Sequence, residues 1–137
     1  IIEGKKVAII NFGARLKECL LANETLSKKG INITLVDARF AKPLDENLIW
    51  QIATDHDAII TIEEGSIGGF GSHVGQFLSE KNLLDNNLKF RSMILPDKFI
   101  DHNKPEFMYK EAGLDAEAIV SKVFDVLNSK IIVQKQN

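Results

Sequence analysis

Short apolar runs alternate with amphipathic segments along most of the chain. Apolar, β-branched runs are typical of buried strands, and they cover residues 6–11, 31–36, 58–62 and 88–95. Apolar residues at helical spacing predict helices over about residues 14–29, after Asp45, over about 72–81 and 105–112, and after Asp115. Strands that alternate with helices in this way form parallel sheets covered on both faces. The pattern therefore predicts one three-layer α/β/α domain, with residues 1–3 as an additional edge strand.

Local signals mark where these elements begin and end. Gly30 is the expected stop of the first helix, and Asp45 and Asp115 are the expected N-caps of two later helices. No repeat or internal linker interrupts the pattern. We therefore predict a single domain over residues 1–128, followed by a tail, 129–137, for which disorder is one expectation.

Composition and charge narrow the classes of function. The 137 residues carry a formal net charge of −2, so the chain lacks the basic surplus typical of general nucleic-acid binders. No apolar run is long enough to span a membrane, and the first residues do not have the layout of a signal peptide. The lone Cys19 cannot form an internal disulfide, which favours a reducing, cytoplasmic location. Because the sequence starts with Ile1 rather than Met, we expect a piece of a longer protein, and a processed N-terminus is the alternative.

Ligands of open parallel sheets bind beyond the carboxyl ends of the strands, where four predicted loops should meet at one rim. Within these loops we single out two cations, a serine, a histidine and the glycines of the stretch GSIGGFG as candidate rim or interface residues. They are Arg39, Lys42, Gly65, Ser66, Gly68, Gly69, Gly71 and His73.

The glycine-rich stretch permits several interpretations. A phosphate cradle at a helix N-terminus would use its backbone N–H groups, but the Lys-Ser/Thr ending of a Walker A loop is missing. A nucleophile turn of the form GxSxG is incomplete, since Glu64 replaces its first glycine. The simpler alternative is a loop that needs positive φ angles or close backbone approach to a neighbour.

The remaining polar residues suggest no complete catalytic set. Glu63 and Glu64 are adjacent in an extended stretch, so one is expected to face solvent and the other to bind loop N–H groups. The three histidines show no metal-binding spacing, and His56 is expected at the surface near a strand entrance. Cys19 lies on an apolar helix stripe and is expected in the core. Arg39 and Lys42 can bind an anion, or pair with Asp37, Asp45 or another subunit.

Three stretches together resemble a known family. They are DARFAKPLD at 37–45, EEGSIGGFGSHV at 63–74 and LPDKFIDHNKPEFMYKEAGLDAEAIV at 95–120. In this order they are similar to the C-terminal domain of the 1-deoxy-D-xylulose-5-phosphate synthase family, a branch of the thiamine-diphosphate-dependent, transketolase-like enzymes. The resemblance extends from about Gly4 to Leu127.

The resemblance implies a fold and a setting. It implies a five-stranded sheet in the order 1-3-2-4-5, mostly parallel with an antiparallel first edge strand. It implies a full-length homodimeric transferase that condenses pyruvate with glyceraldehyde 3-phosphate, using thiamine diphosphate and Mg²⁺, for isoprenoid, thiamine and pyridoxal phosphate synthesis. The partners of this chain would then be upstream domains of the same polypeptide and a second subunit.

The family's functional motifs do not match positions of this chain. The GDG…N motif that binds the cofactor and magnesium belongs to the first domain of the family, and the essential glutamate belongs to the second. No catalytic, cofactor-binding or metal-binding residue can therefore be transferred to this sequence. The resemblance implies a chain that is inactive alone, with the glycine-rich loop as a close-packing contact. Another transketolase-like enzyme, or a free-standing module that uses Arg39, Lys42, Ser66 and His73, stays as an alternative.

Overall fold

A computed structural model of the chain describes residues 6–38, 44–64, 69–94 and 115–136, with side chains as far as residue 128. Its strands are β1 (Val7–Phe12), β2 (Thr34–Ala38), β3 (Ala58–Glu63) and β4 (Lys89–Ile94). They form one sheet in the order β2-β1-β3-β4, and every neighbouring pair is parallel. The predicted α/β class and the relative order of these strands are confirmed. The predicted antiparallel edge strand, residues 1–3, lies outside the described residues.

Four helices are described, namely α1 (Leu16–Lys28), α2 (Glu46–Asp55), α3 (Phe70–Glu80) and α4 (Ala116–Gln136). The helix predicted over residues 105–112 lies outside the described part of the chain. α3 begins two residues earlier than the predicted residue 72. The α4 backbone continues past residue 128, where the sequence predicts the tail to begin. Within the described ranges, no helix combines the length and apolar character needed to cross a lipid bilayer.

The sheet is covered on both faces, as the near-continuous apolar strands predict. Alternate side chains of a strand point to opposite faces, so Val7 and Ile9 pack with α1 and α4, while Ala8 and Ile10 pack with α2 and α3. All four of these strand residues are buried. β1 and β3 are the two central strands of the sheet and lie between the two cores.

The predicted helix ends are present. Gly30 follows α1 with φ +80°, a conformation that glycine adopts without steric cost. Asp45 Oδ1 accepts a hydrogen bond from the Leu48 N–H at 3.2 Å, and Asp115 Oδ1 accepts one from the Ala118 N–H at 2.9 Å. Both aspartates therefore act as N-caps.

One prediction about a histidine is wrong. His56 is half-buried rather than a surface residue, because its ring bridges β2 and α2. Its Nδ1 lies 2.8 Å from the Ile52 carbonyl oxygen, and its Nε2 lies 2.7 Å from the Thr34 hydroxyl. The sequence shows a polar residue between a helix and a strand, but not the hydroxyl that the fold brings opposite the ring.

Candidate functional site

The carboxyl ends of the strands form a continuous rim. In the register of the sheet, Phe12 at the end of β1 lies beside Ala38 of β2 and Glu63 of β3, and Glu63 lies beside Ile94 of β4. Residues that follow these positions emerge on the same edge, which is where parallel sheets bind ligands. The polar groups at this edge therefore define the candidate site.

Glu63 is the central group of the rim. Its side chain is only 2% exposed, and its carboxylate accepts hydrogen bonds from the Phe70 N–H at 2.9 Å and from the Gly71 N–H. These N–H groups belong to the first turn of α3, where the helix dipole also favours a negative charge. The sequence predicts that one of the two adjacent glutamates binds loop N–H groups, and Glu63 does so at the start of α3.

This arrangement bears directly on the interpretation of the glycine-rich stretch as a phosphate cradle. A cradle at a helix N-terminus depends on N–H groups that point at the bound anion. At Phe70 and Gly71 these groups already hold the Glu63 carboxylate. They are unavailable to a ligand phosphate while Glu63 occupies them.

Gly71 marks a close approach of α3 to the sheet. A Cβ atom at this position would lie 2.6 Å from the Ser92 Oγ, 2.8 Å from the Thr61 Oγ1 and 3.2 Å from the Glu63 Oε2. The Thr61 and Ser92 hydroxyls are themselves 3.2 Å apart and share a hydrogen bond across β3 and β4. Glycine at this position lets the helix reach the hydroxyl pair and the carboxylate together.

An aromatic pair fixes the same helix end to the central strand. The rings of Phe12 and Phe70 are stacked, with centroids 5.1 Å apart and planes 9° from parallel. Phe70 is 1% exposed, so the stack lies in the core beneath the rim. The first turn of α3 is therefore held by both polar and apolar contacts.

A second polar cluster lies where β1 ends. Asn11 is fully buried, and its Nδ2 donates to the Gly13 carbonyl at 3.1 Å and to Asp37 Oδ1 at 2.8 Å. Its Oδ1 lies 3.9 Å from the Cys19 Sγ, a distance at which the thiol donates a weak hydrogen bond. Burial, followed by the nearby Asp37 charge, raises the pKa of Cys19 to about 12. The thiol therefore stays protonated at neutral pH, which agrees with the core position predicted from the sequence.

Glu64, the glutamate expected to face solvent, is instead partly buried and pairs with a different element. Its Oε1 accepts a hydrogen bond from the Arg15 Nε at 2.9 Å, and the two side chains are 29% and 15% exposed, respectively. Arg15 immediately precedes α1. The ion pair thus connects the entrance of α1 with the exit of β3, and β3 is the neighbour of the strand that leads into α1.

Only part of the predicted rim set falls in the described structure. Gly69, Gly71 and His73 lie together at the beginning of α3, where Gly69 is the N-cap and His73 is half-buried. The other predicted residues lie outside the described ranges, and their roles stay predictions. They are Arg39, Lys42, Gly65, Ser66 and Gly68.

Sequence reasoning missed the contacts made by Asn11, Arg15 and the Thr61–Ser92 pair. A usable signal existed for Asn11 and Thr61, because a polar residue inside a buried strand must find a hydrogen-bond partner. The sequence carries no comparable signal for Arg15, whose partner is 49 residues away.

The described residues do not supply a site for a magnesium diphosphate group. Over the described ranges, no group of three or more His, Cys, Asp and Glu side chains is arranged to hold a metal ion. Every buried side-chain nitrogen and oxygen that the structure describes has a hydrogen-bond partner. In the described part of the rim, the Asn11, Glu63 and Glu64 side chains are engaged by other groups of the protein.

Comparisons with known proteins agree with the fold. The model of the family "Transketolase, C-terminal domain" matches residues 1–119. A structure solved as "Split gene transketolase, inactive beta4 tetramer" is 31% identical over 93% of this chain, with a TM-score of 0.81. This chain covers 41% of that protein, less than half of its length.

A more distant structure shares the fold alone. A 2-oxoglutarate:ferredoxin oxidoreductase from Magnetococcus marinus, solved with 2-oxoglutarate, coenzyme A and succinyl-CoA bound, is 16% identical over 92% of this chain. The TM-score is 0.58, and the matched part is 18% of that protein. The same arrangement of strands and helices therefore occurs as a small part of much larger chains.

Proposed function

This chain belongs to the transketolase C-terminal domain family, and we propose that it is the C-terminal domain of a 1-deoxy-D-xylulose-5-phosphate synthase. In that role it is a non-catalytic domain that stabilises a thiamine-diphosphate-dependent transferase. The full-length enzyme is a cytoplasmic homodimer that condenses pyruvate with glyceraldehyde 3-phosphate and releases carbon dioxide. Its product enters isoprenoid, thiamine and pyridoxal phosphate synthesis.

The choice of this enzyme over others in the family depends on sequence motifs. The stretches EEGSIGGFGSHV and PDKFIDH, followed by AGLDAEAI, resemble the synthases, and this resemblance is the reason for preferring them to other transketolase-like enzymes. The 31% identity to a split gene transketolase supports the family, and it leaves the substrates open. A transketolase that transfers two-carbon units between sugar phosphates is therefore the second candidate.

One observation supports a non-catalytic role above all others. The acid at the centre of the rim, Glu63, is engaged by the Phe70 and Gly71 N–H groups, while the neighbouring acid Glu64 is paired with Arg15. A general acid or base must reach the substrate with a free lone pair or proton. Glu63 is 2% exposed and so cannot reach a bound substrate, and the Glu64 carboxylate is held by Arg15, which favours chemistry located in other domains.

Reconstitution with the upstream polypeptide tests the proposal. The 137-residue chain alone should release no carbon dioxide from pyruvate and glyceraldehyde 3-phosphate, and calorimetry should detect no binding of thiamine diphosphate. A similar protein, of which this chain covers 41%, is a split gene transketolase solved as an inactive β4 tetramer, and this supports the expectation. Mixing with a polypeptide that carries the two preceding domains should restore turnover.

The result also distinguishes the alternatives. Turnover of a ketose phosphate and an aldose phosphate, without consumption of pyruvate, would identify a transketolase instead. Tight binding of a phosphate or nucleotide by the isolated chain would favour the free-standing module that uses Arg39, Lys42, Ser66 and His73. Either outcome would reject the synthase assignment.

A further inference from the structure

Helix α1 presents two large apolar side chains to solvent. Leu20 is 47% exposed and Leu21 is 43% exposed, whereas the opposite side of the helix buries Cys19, Ala22 and Leu26 in the core. Isolated exposed leucines are common on protein surfaces. Leu20 and Leu21 are adjacent in the middle of an otherwise polar helix face, and together they form a small apolar patch.

Charged residues flank this patch symmetrically. Lys17 precedes Leu20 by three residues and Glu24 follows Leu21 by three, so the segment has the pattern K-x-x-L-L-x-x-E. At 3.6 residues per turn, the four side chains lie within about 100° of arc on the helix. All four are exposed, and they form one surface, here termed the α1 face.

The α1 face is complementary to itself. If a second copy of α1 is placed antiparallel, with a two-fold axis between Leu20 and Leu21, each Leu20 lies opposite Leu21 of the other copy. The same axis brings each Lys17 opposite Glu24 of the other copy. A two-fold interface uses the same patch on both subunits and requires this relation. The parallel alternative would place lysine against lysine and glutamate against glutamate.

The flanking charges have no competing partner in the described residues. Lys17 and Glu24 take part in none of the ion pairs or hydrogen bonds found there, although Glu24 and Lys28 are at helical spacing. By contrast, the neighbouring Glu18 turns aside and accepts a hydrogen bond from the Ala116 N–H at 3.1 Å, at the start of α4. The α1 face is thus left with two apolar and two oppositely charged groups that are available for a second copy.

We propose that the α1 face is a self-association surface on which two copies of this chain pair antiparallel about a two-fold axis. The apolar centre supplies the attraction, and the two symmetric Lys17–Glu24 pairs set the direction and register, as charges flanking coiled-coil seams do. A single helix face buries less than the roughly 1,200 Å² of a standard stable interface, so association is weak and concentration-dependent. The proposal involves the side of the molecule away from the sheet and does not depend on the function proposed above.

Charge reversal with rescue tests both the surface and the register. Sedimentation equilibrium of the 137-residue chain over a concentration series should show the mass rising from monomer toward dimer. In a dimer of Lys17→Glu, a glutamate faces a glutamate at both symmetric 17–24 contacts. In a dimer of Glu24→Lys, a lysine faces a lysine at both contacts. Each change should weaken dimerisation by about tenfold or more, since two attractive pairs become repulsive. The double variant Lys17→Glu/Glu24→Lys restores the pairs and should dimerise like the original chain.

Mixing the single variants provides a sharper test. A Lys17→Glu chain and a Glu24→Lys chain are complementary at both ion pairs, so an equimolar mixture should form heterodimers while each variant alone stays monomeric. Matched controls on the opposite layer are Lys81→Glu and Glu46→Lys, which change the same charges on exposed residues and should not alter dimerisation. Circular dichroism of every variant confirms the fold.

Several outcomes would overturn the proposal. A chain that stays monomeric at all concentrations excludes self-association. This result is expected if the α1 face instead contacts another domain of a longer protein. A dimer that is indifferent to both charge reversals, or a mixture without heterodimers, excludes the antiparallel register. Loss of dimerisation in Trp50→Ser would place the interface on α2, where Trp50 is 46% exposed.

Discussion

Replacing Glu63 by glutamine tests the contact on which the rim is built. The glutamine keeps one oxygen that can accept from either the Phe70 N–H or the Gly71 N–H, but its amide group turns a donor toward the other. The variant thus loses one charge-assisted hydrogen bond and leaves a buried N–H unpaired. It also loses the negative charge at the N-terminus of α3. Together these effects should lower the free energy of unfolding by about 3 kcal/mol.

Urea unfolding followed by circular dichroism measures this loss. With a slope of about 2 kcal/mol per molar urea for a domain of this size, the midpoint should fall by roughly 1.5 M. Glu64→Gln is the matched control, because it makes the same chemical change one residue later, at the partly buried ion pair with Arg15. The glutamine oxygen can still accept the Arg15 hydrogen bond, so we expect a smaller loss than for Glu63→Gln.

Comparing the two variants shows whether the Glu63 carboxylate stabilises the contact between α3 and the sheet. If Glu63→Gln costs no more than Glu64→Gln, the buried carboxylate is not what holds α3 to the sheet. A normal slope in both variants is required for the comparison, since a changed slope would indicate an altered unfolded or native state.

Three further predictions concern single positions. Gly71→Ala should cost about 1–3 kcal/mol in urea unfolding, because its Cβ would lie 2.6 Å from the Ser92 Oγ; an unchanged midpoint would contradict that close approach. Cys19 has its pKa raised from 9.0 to about 12 by burial, so the unfolded chain ionises first and stability falls as pH rises above 9. The stability difference between the original chain and Cys19→Ala should therefore shrink by about 1.4 kcal/mol between about pH 8 and pH 10, and a constant difference would refute it. Asp45→Ala should cost about 1 kcal/mol while Asp45→Asn costs little, and equal losses would show that the cap contact is unimportant.

The sequence predicts the elements of this fold well because each depends on local chemistry. The run around Ile59 and Ile60 is apolar on both sides, which only a doubly covered strand accommodates. Asp45 and Asp115 precede their helices directly, and both form the expected cap contacts. The order of the strands came from the family resemblance, since periodicity alone does not determine which strands are neighbours.

Contacts between distant residues were not predictable in the same way. The Glu18 carboxylate binds the Ala116 N–H, 98 positions later in the chain. Nothing in the residues around Glu18 distinguishes it from an ordinary surface acid of a helix. Such pairs follow from the packing of α1 beside α4, which is known only once the helices are placed on the sheet.

The position of Glu63 also affects whether a free anion can bind at the start of α3. Doubly wound sheets commonly receive an anionic small molecule where a helix begins beside a strand end. Here the anion belongs to the polypeptide and is delivered by β3 itself, so it cannot dissociate. A free anion would have to displace the Glu63 carboxylate before it could bind the Phe70 and Gly71 N–H groups.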